Sequence, residues 1–169
     1  NYGHISDWNV SAVTNMSQAF KDRTMFNEDI SNWDVGNVVN MWQMFLRASA
    51  FNQDIIGWDV SSVNSLSSTF EGATSFNQDI SGWDTSSVVT LMQTFRDATN
   101  FNQPLNDWNT SSVVNMQTTF GGATAFNQPI GNWDVSAVVT MAYMFSGATN
   151  FNQDISEWNI NKVTTLKQT

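Results

Sequence analysis

Apolar residues recur along this chain with a period of 25 residues, not at the short intervals of one isolated helix or strand. Trp stands at 8, 33, 58, 83, 108, 133 and 158. Phe fills 20, 45, 70, 95, 120 and 145, and again 26, 51, 76, 101, 126 and 151; these two columns hold all 12 Phe residues. Val at 13, 38, 63, 88, 113, 138 and 163 keeps the same register. So do Met or Leu at 16, 41, 66, 91, 116, 141 and 166, and Ile or Leu at 5, 30, 55, 80, 105, 130 and 155. Such self-similarity marks a repeat architecture, in which no unit buries its apolar face alone and neighbours complete one another.

Within a unit the spacing changes character. Trp33 and Val35 alternate about Asp34, as on a short strand with the carboxylate outward. Met41, Phe45 and Ala48 fall at i, i+4 and i+7, which predicts one face of a two-turn helix. Asn15, Asn40, Ser65, Thr90, Asn115, Thr140 and Thr165 precede that run and are N-cap types. Asp22, Arg47, Gly72, Asp97, Gly122 and Gly147 follow it, where a left-handed residue closes a helix; Arg47 fits worst. The expectation is an α/β repeat solenoid of about seven strand–turn–short-helix coils with a parallel sheet, forming one domain over residues 1–169. Its first coil, 1–7, is degenerate and its last, 158–169, is truncated before its Phe, so the chain reads as a segment of a longer array.

The run Ile30-x-x-Trp33-x-Val35-x-x-Val38-x-x-Met41-x-x-Met44-Phe45-x-x-Ala48-x-x-Phe51 resembles the repeat of BspA-like leucine-rich-repeat surface proteins, with aromatic residues at some aliphatic positions. The stretch FEGATSFNQDISGWD, 70–84, is similar to the branch described as a domain of unknown function in bacterial surface proteins and lipoproteins. The resemblance covers essentially the whole chain. It implies a right-handed leucine-rich-repeat-like stack, an extracellular or cell-surface location, and adhesion or host interaction as the role. It carries over no catalytic residue, because the repeat pattern contains none.

Composition narrows the partners. A net charge of −9 with only six Lys and Arg argues against nucleic acid, whose phosphates demand clustered cations, and against an anionic membrane surface. No apolar run approaches the roughly 18 residues of a membrane span, so this segment is expected to make no direct membrane insertion. The absence of Cys removes disulfides and thiolate metal sites.

Several columns could carry chemistry. Asp34, Asp59 and Asp84, with Asp134, face outward in register, and hard oxygen ligands of this kind suit calcium. The competing reading is a solvated or backbone-bonded acidic strip. The unbroken column Asn27, Asn52, Asn77, Asn102, Asn127 and Asn152 reads as a ladder satisfying turn backbone, with a ligand role as the rival. Hydroxyls at 24, 49, 74, 99, 124 and 149 suggest an ice-binding face, but large apolar neighbours spoil its flatness. His4 is the only His and has no recognisable nucleophile partner in sequence, so neither a catalytic nor a cofactor-binding residue is assigned and the chain is read as no enzyme.

Repetition fails most visibly at Trp42, where other units carry Ser17, Ser67, Met92, Gln117, Ala142 and Lys167. Leu46 lies one helical turn on, so both are expected to point outward; Ile56, on another face, replaces Ser at most equivalent positions. These three are candidate partner-binding residues, against incidental exposed apolar groups. The expected function is a non-catalytic module binding a protein or cell-surface ligand, with a structural spacer or assembly subunit as the alternative.

Overall fold

A computed structural model describes residues 3–169. Positions 1 and 2 of the degenerate first unit lie outside the described residues. The chain retraces one path every 25 residues, and each coil rests on the next through parallel bridges that join Asn15 to Asn40, Asn40 to Ser65, Ser65 to Thr90, and so on to Thr165. Around the first bridge, the Val39 amide donates to the Thr14 carbonyl at 2.8 Å and the Met16 amide to the Asn40 carbonyl at 2.9 Å.

The expected α/β architecture with a parallel sheet is not what forms. Among the described residues the bridges are isolated, no strand or sheet develops around them, and the helical content is one 3₁₀ turn, Ile5–Asp7. The segment read as a helix is a run of tight turns. In the second coil the amides of Met44, Leu46 and Ala48 donate three residues back, to the carbonyls of Met41, Gln43 and Phe45. The alternate amides leave the coil altogether: Met41, Gln43, Phe45 and Arg47 donate to Ser65, Ser67, Thr69 and Glu71 at 2.7–3.2 Å. An α-helix needs every amide to reach back four residues, so this division excludes it.

Backbone angles explain the division. Gln43 and Arg47 both have positive φ, 57° and 56°, and the equivalent pairs Gln18/Asp22, Ser68/Gly72, Gln93/Asp97, Thr118/Gly122 and Tyr143/Gly147 do the same. A left-handed residue third in a four-residue turn belongs to type II geometry, so 41–44 and 45–48 are turns of that kind and 43–46 links them. For a residue with a Cβ this conformation costs about 1–2 kcal/mol. Each such cost is offset by an amide aimed squarely at the next coil.

The core is columnar. Phe20, Phe45, Phe70, Phe95, Phe120 and Phe145 stack with ring centroids 5.4–5.8 Å apart and planes within 8° of parallel. The second Phe column runs beside it, each ring 3.9–4.1 Å from its partner in the same coil, as Phe45 is from Phe51. The indole N–H of Trp58 donates to the Ile30 carbonyl at 3.2 Å, and Trp33, Trp83, Trp108, Trp133 and Trp158 make the same bond 28 residues back. The tryptophans are therefore cross-coil fasteners as well as apolar filling. Where Thr replaces an apolar residue inside, as at Thr94, its hydroxyl donates to the carbonyl of Leu66, so no buried side-chain polar atom among the described residues lacks a partner.

Candidate functional site

The acidic columns are built from turns. At Asp59 the Ser61 hydroxyl donates to Oδ1 at 2.6 Å and the Ser61 amide at 3.1 Å, an Asx turn. Asp34, Asp84 and Asp134 accept the amides of Gly36, Ser86 and Ser136 likewise. A second column, Asp29, Asp54, Asp79 and Asp154, repeats the device four residues before the Trp. Pro104 and Pro129 stand at the equivalent places in the coils between. Hydrogen bonds from the paired Ser hold Asp59, Asp84 and Asp134 below the ordinary carboxylate value, hydroxyl first and amide second; at Asp29, Asp79 and Asp154 the amide leads.

Those depressed values set a pH dependence. A carboxylate whose folded value is lowered contributes stability above its ordinary value of 3.8 and loses it as pH falls through the folded value. The melting midpoint is therefore expected to hold steady above about pH 5 and to fall in acid. Asn9 and Asn109 already make the same turn in this column, so Asp59→Asn with Asp84→Asn and Asp134→Asn should keep the fold and flatten the acid limb. A limb as steep as that of the parent would show that the turns are not its cause.

Calcium finds no built site in Asp34, Asp59 and Asp84. Successive carboxylates do come near one another, for a Cβ placed on Gly36 would meet Asp34 Oδ1 and Asp59 Oδ2 at 3.4 Å each. Yet each Oδ1 is already used by its own turn, and among the described residues no three His, Cys, Asp or Glu side chains converge as metal ligands. Adding a calcium chelator is expected to leave the melting curve unchanged; a drop restored by calcium would reinstate the ion.

The asparagine column is a ladder. Asn27 Oδ1 accepts the Asn52 amide at 2.8 Å, and the same bond climbs from Asn52 through Asn77, Asn102 and Asn127 to Asn152 at 2.9 Å. The hydroxyl column points along the stack too: Ser49 Oγ donates to the Thr24 carbonyl and Thr124 Oγ1 to that of Thr99.

The three candidate contact residues separate. Trp42 is 40% exposed and Ile56 45%, but Leu46 is only 4% exposed. The expected outward Trp42–Leu46 pair presupposed a helix. With Gln43 and Arg47 left-handed, the two turns place Trp42 and Leu46 on different faces, and Leu46 turns inward. Sequence reading also missed an apolar column: Val39, Val89, Val114 and Val139 are all exposed along the bridged strip, interrupted by Asn64 between the first two. The signal was the Val-Val doublets at 38–39, 88–89, 113–114 and 138–139, whose first member fills the core column and whose second must face out.

His4 does gain partners. Its Nδ1 lies 2.7 Å from Ser6 Oγ, and its Nε2 lies 3.4 Å from Glu28 Oε2. The arrangement resembles a hydroxyl–imidazole–carboxylate relay, but its chemistry is that of a cap. The Ser6 amide, which would be needed to stabilise an oxyanion, donates instead to His4 Nδ1, and both ionisable side chains are more than half exposed to water.

Repeated coils, stacked aromatic columns and turn-forming polar ladders define a tandem-repeat protein. The chain belongs to the family described as Mycoplasma protein of unknown function, DUF285, whose model matches residues 1–99 and again 78–169. No curated protein and no solved structure matches it.

Proposed function

We propose that this chain is a non-catalytic cell-surface binding or adhesion module of the BspA-like kind, displayed outside the cell and contacting a protein or cell-surface ligand. The observation that carries the reading is the outward apolar strip of Val39, Val89, Val114 and Val139 with Trp42, none of which the core requires. A stack whose amides are satisfied coil to coil holds such a strip in a fixed register, which lowers the ordering cost of binding. Among the described residues no helix is long and apolar enough to cross a membrane.

The test has two arms. Protease added to intact producing cells should cleave the protein, and the purified chain in excess should block attachment of those cells to their target surface. Trp42→Ser, which copies Ser17 and Ser67, should leave the chain folded, as its melting transition would show, while weakening the block. Full protection from protease would contradict the reading. Cleavage without any block would favour the alternative, a spacer whose regular coils set distance in a larger assembly.

A further inference from the structure

The bonds that hold one coil to the next run along the axis of the stack. Between the third and fourth coils the amides of Leu66, Ser68, Phe70 and Gly72 donate to the carbonyls of Thr90, Met92, Thr94 and Arg96 at 2.7–3.3 Å. The Val89 amide, the Trp83 indole and the Asn77 amide donate back to Asn64, Ile55 and Asn52. The rings of Phe70 and Phe95 stack across the same junction, 5.8 Å apart. The other junctions repeat this pattern, so a stack loaded through its two ends carries the load across similar junctions in series. The chain has no Cys, so no disulfide bypasses a junction.

A coil that leaves the stack has little to keep its shape. Within the third coil the amides of Thr69, Glu71 and Ala73 only reach three residues back, and the coil contains neither helix nor strand. Ser68 and Gly72 are left-handed, with φ 54° and 69°, a conformation that the Cβ of Ser68 disfavours. Their amides are held by the fourth coil, at Met92 and Arg96, so detachment removes the partner that imposes the turn. Detaching an end coil breaks one junction, whereas opening an inner coil breaks two. Each detachment also leaves a new end much like the last.

We propose that the fold is a force-extension device. Under tension along its axis the stack releases one coil at a time from an end, at a nearly level force, and each coil passes directly from folded to extended chain. Each release exchanges a rise of about 4.8 Å for one 25-residue period of extended chain, about 85 Å, a gain of about 80 Å. A binding module that lengthens in this way limits the load on whatever it holds. The device itself does not depend on that binding.

Optical tweezers pulling the whole chain through handles at its two ends test this. The expected trace is a staircase of contour-length gains of about 80 Å for the complete coils, nearly level in force and reversed on relaxation. Ser65→Cys with Thr90→Cys gives a second check. These bridged neighbours lie about 4.8 Å apart, within reach of a disulfide that would close one 25-residue loop. The oxidised variant should show one step fewer, and reductant should restore it. If the variant does not fold, the wild-type trace decides alone. A single rip of roughly 550 Å, steps shorter than a coil, or an oxidised variant that keeps every step would overturn the proposal. A chain that extends in steps but blocks no cell attachment would refute the surface-binding reading and leave the device standing.

Discussion

Trp83→Ala is expected to lower the unfolding free energy by about 3–5 kcal/mol, the range for emptying a large aromatic site. Trp83 is 3% exposed, stacks on Trp108 at 6.3 Å, and ties its coil to the one before through the Ile55 carbonyl. Truncation removes the ring contacts and the indole hydrogen bond, leaving the Ile55 carbonyl only the Trp58 amide at 3.2 Å, so transfer and cavity costs add to one lost hydrogen bond. Trp8→Ala should cost far less, because Trp8 is 46% exposed. Trp158, partly buried, should fall between. Chemical denaturation of the three variants checks the order. Equal losses would mean that the coils do not share one continuous core.

The second large effect belongs to the asparagine ladder. Asn77→Ala should cost about 1–3 kcal/mol although it deletes little apolar surface, because it strands the Asn102 backbone amide in a partly buried turn. Asn77 Oδ1 accepts the Asn102 amide at 2.9 Å and the Gln103 side chain at 3.1 Å, while its carbonyl also holds Gln103. Asn77→Asp keeps both oxygen acceptors and should recover much of the loss above pH 5 or so. Thermal melts of the two variants decide it: an alanine variant as stable as the parent would mean that water replaces the ladder without penalty.

Residue columns made the stacking legible, because only a fixed register brings all 12 Phe into two rows. The residues read as N-caps do bind an amide two positions on, as Asn40 Oδ1 accepts that of Trp42 at 2.8 Å, but they open turns and not helices. The left-handed positions 22, 47, 72, 97, 122 and 147 are where Gly and Asp suggested them. What misled was period. Two consecutive turns bring Met41, Phe45 and Ala48 inward as a helix would, so spacing alone could not tell them apart. The decisive residues, Gln18, Gln43, Ser68, Gln93, Thr118 and Tyr143, are not types that favour positive φ. Their conformation is imposed by the neighbouring coil, as when the Gln43 amide reaches the Ser67 carbonyl at 3.0 Å. No local signal announces a bond made 24 residues away. Leu46 was misplaced for the same reason. The outward valines were readable, since a Val-Val doublet in an alternating segment cannot bury both members.

The most direct measurement is a solution NOE map of residues 41–49, 65–73 and 90–98. The amides of Met41, Gln43, Phe45 and Arg47 should show contacts to residues about 25 positions later, with sequential patterns of turns between them. Continuous contacts from each residue to those three and four further on, with no cross-coil contacts at the 25-residue register, would establish helices and contradict the stack of turns.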